Sequence, residues 1–264
     1  MLRTRPAVDR FKVPALLRGL TILELLARHP EGLRMSEIAE ALRLPPNSVF
    51  RINGQLEESG YLRRDDAGRF RLGTKLFSLG CGALGEERLI EKSLDVMRRL
   101  RDETTETVLL GQRLDREGVV LEQLPALHAL RFVVDPGSRF PLHSAAPGKA
   151  MLAFLPEDER AQVLSKMKYP AFTPRTISSR AAFEQELKHV QKTGHALDEG
   201  EEIEGLHCIG APIFNRHGYP TAALWITAPS NRLPKSLFAR NARLVVTAAH
   251  EISERLGHFP AATG

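Results

Sequence analysis

"NSVFRINGQLEESGYL", residues 47–62, carries Val49, Ile52 and Leu56 at helical spacing and sets Arg51 and Gln55 on another face. Pro45 and Pro46 stand directly before it. A residue preceding proline avoids the helical region, so Arg43-Leu44-Pro45 forces a turn. Pro46 suits the first turn of a helix, where its missing N–H is not needed. The stretch therefore predicts a short helix that starts abruptly and holds a guanidinium and an amide away from its packing stripe.

Upstream, Ser36 is placed to cap "EIAEAL", with Glu37 in the first turn, where the helix dipole favours a carboxylate. Ile38, Ala39 and Leu42 form the inner stripe of that helix. Earlier still, "VPALLRGLTILELLARHPEG" sets Leu16 or Leu17, Leu20, Leu23 or Glu24, and Ala27 at helical spacing and stops at His29-Pro30. Two short helices joined by a tight turn, after a longer first one, make a helix-turn-helix. The second member of such a pair lays its N-terminal residues in the major groove. That assigns Asn47, Ser48, Arg51 and Gln55 to DNA, with Ser36 grouped beside them, and Val49, Ile52 and Leu56 to the core. Arginine reads guanine and glutamine reads adenine by paired hydrogen bonds, each worth about 1–3 kcal/mol of discrimination. Ser48 fits a phosphate, a contact that fixes register without reading sequence. Gly54 interrupts the helix at a cost of about 1 kcal/mol relative to alanine, either to let DNA approach closely or because it is simply tolerated.

Gly60 ends this helix, and "YLRRDDAGRFRLG" reads as a hairpin: Tyr61–Arg64, a turn over Asp66-Ala67-Gly68, then Arg69–Leu72. Alternation sends Phe70 and Leu72 inward and Arg69 and Arg71 outward. Together with Arg63, these arginines are expected over the DNA backbone. The pattern is a winged helix-turn-helix.

Charge supports it. Residues 1–73 hold 13 Lys and Arg against 9 Asp and Glu, leaving 24 against 23 in the remainder of a chain of net charge +5. The positive excess thus sits where phosphates would be neutralised. No run of 18 apolar residues predicts a membrane span, and "MLRTRPAVDRFKVP" lacks the apolar core of a signal peptide. Cys81 and Cys208 make no disulfide framework, so a reducing cytoplasm is expected. Cys81 reads as a packed, inert thiol.

After Gly73, "TKLFSLGCGALGEERLIEKSLDVMRRLRDETTET" reads as a linker helix interrupted by glycines, then a fresh helix with Ile90, Leu94 and Met97 inward. From Val108 the period changes to two. "VLLGQRL", a turn over Asp115–Gly118 and "VVLEQL" form one hairpin, and "ALRFVVDPGSRFPLH" continues as strand and loop. "PGKAMLAFLP" is a short helix, and "AAFEQELKHVQKTG" another, with Phe183, Leu187 and Val190 inward and Gly194 as its stop. "GLHCIGAPIFNR" and "YPTAALWITAP" form a second hairpin about His217-Gly218. A last helix from about Pro234 to Leu256 aligns Leu237, Leu244, Val245, Ala248 and Ile252. Helices flanking an antiparallel sheet give an α+β class. The expected organisation is an arm over 1–12, a winged domain over 13–73, a linker helix over 74–86, a second domain over 87–258 and a tail over 259–264.

The segments "PALLRGLTILELLA", "GLRMSEIAEALRLP", "GYLRRDDAGRFRLG", "TTETVLL", "FPLHSAAPGKAMLAFLP", "TPRTI", "GHALDEGE", "GLHCIGAPIFN" and "ISERLG" occur in an order and spacing that resembles the isocitrate lyase regulator (IclR) family of bacterial transcription factors. The resemblance implies a winged helix-turn-helix, a linker helix and a GAF-like effector domain. It also implies homodimers, often paired into tetramers, whose binding to double-stranded operator DNA responds to a small organic acid, with repression the commoner outcome. No cofactor is implied. Carried onto this chain, the effector site comprises Ala129, Phe132 and Phe140, then Ala146 and Pro147, then Asp198, Leu206, Cys208, Trp225 and Thr227. Strand alternation independently puts Leu206 and Cys208 on one face, as it does Trp225 and Thr227. Many relatives carry a small hydroxyl residue where Trp225 stands, so a tighter, more aromatic cavity is expected, suited to a small flat or short-chain acid. Pro147 removes one backbone donor from a helix start that would otherwise receive a carboxylate.

The residues also raise two rival readings. Cys208, His207, His143 and Asp198 raise a thiol nucleophile or a metal site, but adjacent His207 and Cys208 face opposite ways on a strand. No CxxC, HExxH or phosphate-cradling glycine loop occurs. His143 is expected to orient a loop. The other rival is an architectural, effector-independent DNA binder, against which the roughly 190 residues beyond the winged domain argue.

Overall fold

Helix α1 (Pro14–Ala27) begins on its proline and buries Gly19, Ile22 and Leu26. The leucines whose spacing announces the helix are not the ones that pack: Leu16, Leu17 and Leu20 are exposed. The segment is apolar nearly all round, so periodicity marks the helix without choosing its face. Helix α2 (Met35–Leu42) buries Ile38 and Ala39, with Leu42 against the same core. Its cap differs from the expected one. Ser36 lies exposed inside the first turn, and the Glu37 carboxylate accepts the Arg34 N–H at 2.6 Å. The turn to the next helix is made by Arg43, left-handed at φ 51°, while Leu44 N–H returns to the Ala39 carbonyl at 2.9 Å.

Helix α3 (Pro46–Glu58) follows directly and buries Val49 and Asn53. Ile52 and Leu56 pack at the margin of the core of Ile22, Leu26, Ile38, Val49, Leu62 and Phe70. Gly60, at φ +79°, releases the chain into strands β1 (Leu62–Arg64) and β2 (Phe70–Leu72), paired antiparallel with Arg63 opposite Arg71. Asp65 closes their turn, its carboxylate accepting the N–H groups of Ala67 and Arg69.

The computed structural model describes residues 13–76, 79 and 89–259, and the chain divides into two units between Glu87 and Arg88. Most of the expected linker helix, Cys81 and the arm over 1–12 lie outside the described residues.

In the second unit, β3 (Thr107–Leu114), β4 (Glu117–Leu124), β5 (Arg139–Pro141), β6 (Ala196–Glu199), β7 (Leu206–Phe214) and β8 (Pro220–Pro229) form one antiparallel sheet in the order β5-β4-β3-β8-β7-β6. Alternation divides each strand between two cores. Val108, Leu110, Ile209, Leu224 and Ile226 face α4 (Leu89–Thr104) and the last helix, α8 (Phe238–Arg255). Leu109, Cys208, Ala223 and Trp225 face α5 (Ala146–Ala153) and α7 (Arg180–Thr193). In α7, Phe183, Leu187 and Val190 are buried and Gly194 stops the helix left-handed, as its sequence predicts. Of the stripe expected in α4, Met97 is buried, whereas Leu94 stays half-buried and Val96 and Leu100 take the interior.

Three elements depart from the sequence reading. Residues 129–138 form no strand, and pairing resumes only at β5. Helix α6 (Glu157–Lys166) was not anticipated, since Leu164 alone is buried among polar residues. Strand β6, four residues long, was too short to show a period.

One buried charge ties this layer together. The Lys149 side chain on α5 is 1% exposed and lies against Glu201 and, at 3.3 Å, Glu186. Its ammonium also donates to the Leu197 carbonyl at 2.9 Å. A buried ammonium is tolerated only when paired and hydrogen-bonded, so this cation fixes α5, α7, β6 and the loop after β6 relative to one another. Among the described residues no helix is long and apolar enough to cross a membrane.

Candidate nucleic-acid interface and the cup on the sheet

Burying Val49 and Asn53 sets the rotation of α3, and Asn47, Phe50, Arg51, Gly54 and Gln55 consequently face solvent. Arg51 makes no hydrogen bond or ion pair with any described residue, so its guanidinium is available. Gln55 has only long local contacts, at 3.4 Å to Glu58 and 3.3 Å to Ser59. Ser48 is half-buried and accepts from Arg18 at 3.2 Å, which places a second guanidinium beside the helix start.

In the hairpin, Arg63 is exposed, but Arg69 and Arg71 do not stand outward as alternation predicts. The Arg71 guanidinium bonds the Asp65 carboxylate and the Pro30 carbonyl, each at 3.2 Å, and Arg69 reaches the Gly32 carbonyl at 3.4 Å. The acidic turn that shapes the hairpin captures one and the neighbouring loop the other. Arg64 lies over the Phe70 ring, 5.3 Å from its centroid.

On the α5 side of the second sheet lies a cup of about 100 Å³, roughly the liquid volume of three waters. Its floor is one cross-strand row, Asp198–Cys208–Thr227, with Thr107 opposite Thr227 on β3 and outside the lining. The Thr227 hydroxyl donates to the Cys208 sulfur at 3.3 Å. Trp225 and Phe140 meet edge to face at 5.3 Å in one wall. Both rings lie against glycine backbone. A Cβ on Gly118 would stand 2.0 Å from the Phe140 ring, and one on Gly111 would stand 3.0 Å from the Trp225 indole. Thr107 accepts from Ala126 N–H and donates to the Phe132 carbonyl, holding the loop that brings Phe132 to the rim.

Two carboxyl groups line this cup. Asp198 accepts the N–H groups of Gly200 and Glu201 at 3.0 and 2.6 Å, and burial still raises its pKa. Glu202 is pushed up to about 7 by burial and by the neighbouring Asp198. Arg139 stands at the rim, ion-paired to Glu117 at 2.6 Å. An outer cleft of about 940 Å³, flanked by Arg116, Lys166 and Lys168, shares Arg139, Phe140, Glu202 and Ile203 with the cup.

Residues 15–66 match the IclR helix-turn-helix domain, and residues 81–254 match the bacterial transcriptional regulator IclR C-terminal domain. The chain belongs to the IclR family of transcriptional regulators. The regulator KdgR of Escherichia coli is 32% identical over 248 residues, covering 93% of this chain and 94% of its own length. The transcriptional repressor IclR of the same organism is 28% identical over 257 residues, covering 96% and 93%. An IclR homologue from Microbacterium hydrocarbonoxydans, solved with 4-hydroxybenzoate, superposes with a TM-score of 0.79 at 26% identity, covering 92% of this chain and 98% of its own.

IclR-family proteins are regulators rather than enzymes, and the site agrees: burial drives the Cys208 thiol well above its usual range, away from the thiolate a nucleophile needs. His143 is not in the cup lining. It contacts the Pro170 carbonyl at 2.9 Å between Tyr169 and Phe172, so it does not converge with Cys208 and Asp198 on a metal. His207 faces the opposite layer, against Phe238.

Of the residues that the IclR resemblance assigns to an effector, the cup gathers Phe132, Phe140, Pro147, Asp198, Leu206, Cys208, Trp225 and Thr227. Ala129 is exposed on the loop, and Ala146 is buried behind the wall, where β7 passes close at Gly210. Glu202 and Arg139, which also line the cup, were not in the sequence-based set. The carboxyl cluster "DEGEE" after a strand was the available signal, since acids so dense beside an apolar strand must either be solvated or change their protonation.

The raised Glu202 has a consequence for stability. Its protonated form is favoured by the fold, so that contribution is complete below about pH 4.5 and is lost as pH rises through about 7. Glu202→Gln is expected to flatten part of the fall in melting temperature between pH 5 and pH 8; a profile parallel to the wild type would contradict the assignment.

Proposed function

We propose that the chain is a repressor whose hold on an operator is set by a small carboxylic acid bound in the cup. The observation that carries the reading is the free outward face of α3, with Arg51 unpaired and Asn47 and Gln55 beside it. Guanidinium and amide groups presented on one helix face match the donor and acceptor pattern of base edges in the major groove. Arg63 and Arg18 serve phosphates, which fix register. Arg69 and Arg71 act through the shape of the hairpin they brace, and Ser36 lies close enough to the start of α2 to meet the backbone.

Two copies would present two α3 helices to a partly palindromic site, with half-sites one or more helical turns apart. The exposed Val13, just before α1, and Leu16, Leu17 and Leu20 within it supply apolar surface suited to such pairing. A groove of about 840 Å³ between α1 and α3 has Leu20, Leu23 and Ile52 in its lining and opens beside Asn47, Arg51 and Gln55, so its α3 side belongs to the DNA face.

The size of the cup favours a short-chain or small flat acid, and the outer cleft with its lysines and arginines is its approach. Inside, the ligand carboxylate would meet Glu202 in its protonated form, which donates a hydrogen bond that the ionised form does not. Acid binding should therefore weaken as pH rises through about 7. Coupling between cup and operator is expected at about 1–3 kcal/mol.

On an operator selected from random DNA, Arg51→Ala should lose roughly 10- to 100-fold discrimination against non-specific duplex, while Arg63→Ala should weaken binding to both alike. Gel-shift titrations measure this, and an equal loss on the two DNAs for Arg51→Ala would overturn its base-reading role. Trp225→Ser should admit larger aromatic acids without changing operator affinity in the absence of acid. Calorimetry of both proteins against short-chain and aromatic acids checks it; an unaltered preference would remove Trp225 from the cup's selectivity.

A further inference from the structure

Phe50 is 67% exposed in the middle of the outward face of α3, between Asn47 and Arg51 on one side and Gly54 on the other. Its ring has no aromatic or cationic partner among the described residues. The position four residues on, whose side chain would lean back over the ring, is Gly54, and a Cβ there would meet nothing within 4 Å. The ring therefore stands clear on a face otherwise made of groups that bond to water. Nothing in the fold requires an aromatic at this place, since Val49 and Asn53 supply the inward contacts of this part of the helix.

Arg43 and Arg51 stand exposed on the same helix-turn-helix, and residues 1–73 together hold 13 Lys and Arg against 9 Asp and Glu. An excess of positive charge favours a polyanion over a second copy of the chain. Of the groups that the major groove presents, only one is apolar, the C5 methyl of thymine. We propose that Phe50 is a specificity residue that packs its ring on a thymine methyl beside the base read by Arg51. The bare Gly54 backbone lets the helix sink far enough for the ring to reach it. This inference rests on the DNA-binding reading of α3 and names what that face recognises.

Full-length protein is used to select an operator from random duplex DNA, and each thymine of that operator is then replaced singly by deoxyuracil, which lacks only the methyl. The wild type should lose affinity on the order of fourfold at one position per half-site, the worth of one buried methyl. Phe50→Ala should bind the thymine and uracil forms equally, and Phe50→Leu should keep part of the difference. Because the side chain is exposed, both variants should melt with the wild type. Indifference of the wild type to uracil at every position, or an undiminished thymine preference in Phe50→Ala, would overturn the inference while leaving DNA binding intact. Loss of self-association in Phe50→Ala with thymine preference retained would assign the ring to a protein contact and overturn it equally. Failure of the wild type to select any sequence would remove the DNA-binding reading and this inference with it.

Discussion

The rotation of α3 about its own axis is the constraint from which the proposed reading of DNA follows. Val49, without solvent exposure in the core between α1 and α2, pins that rotation. Everything the helix offers outward, from Asn47 to Gln55, is what remains after Val49 and Asn53 are inside. The left-handed Arg43 and the two prolines deliver the helix start at the angle this packing demands. Asn53 is the cost of the arrangement. Its amide is buried with no hydrogen-bond partner among the described residues, and a buried unsatisfied amide typically costs about 1–3 kcal/mol. The neighbouring contacts hold it there regardless.

The second unit applies the same logic to a cavity. Alternation along β7 and β8 sends Cys208, Trp225 and Thr227 to one face and Ile209, Ile226 and Ala228 to the other. The cup exists because glycines at 111 and 118 let large rings lie flat on the strands without filling the space above Thr227. Lys149 then holds the rim: its buried ammonium binds β6 at the Leu197 carbonyl and the loop after it at Glu201, beside Asp198 of the strand and Glu202 of the loop, which line the cavity. A pocket of carboxyl groups that resist ionisation is chemically suited to a ligand bearing its own negative charge, provided one of them keeps its proton.

How much of this could be read in the sequence depended on whether the deciding contact was local. Pro46, Val49 and Ile52 specified α3 because start, stripe and stop lie within fifteen residues, from Pro46 to Gly60. Phe183, Leu187, Val190 and Gly194 did the same for α7. The face of α1 was not legible, because leucines surround it and only the folded neighbours choose Ile22 and Leu26. Capture of Arg71 by Asp65 was hidden for the opposite reason: a charged side chain on a strand looks solvent-bound until its partner is placed. Lys149 was the least legible of all. A lone lysine inside "APGKAMLA" has no acidic residue within seven positions, and its partners at 186 and 201 are brought to it only by the fold. The cup residues themselves came through resemblance. Their spacing alone leaves Asp198 and Trp225 unconnected, and it is the antiparallel register that unites them.

The most direct measurement is a dimethyl sulfate footprint of the full-length protein on its selected operator, since the reagent methylates guanine N7 in the major groove and adenine N3 in the minor groove. With α3 seated in the major groove and Arg51 on a guanine edge, N7 of at least one guanine in each half-site should be protected, and that protection should vanish in Arg51→Ala. Protection confined to adenine N3, or guanine protection untouched by the substitution, would contradict the placement of α3 on which the rest is built.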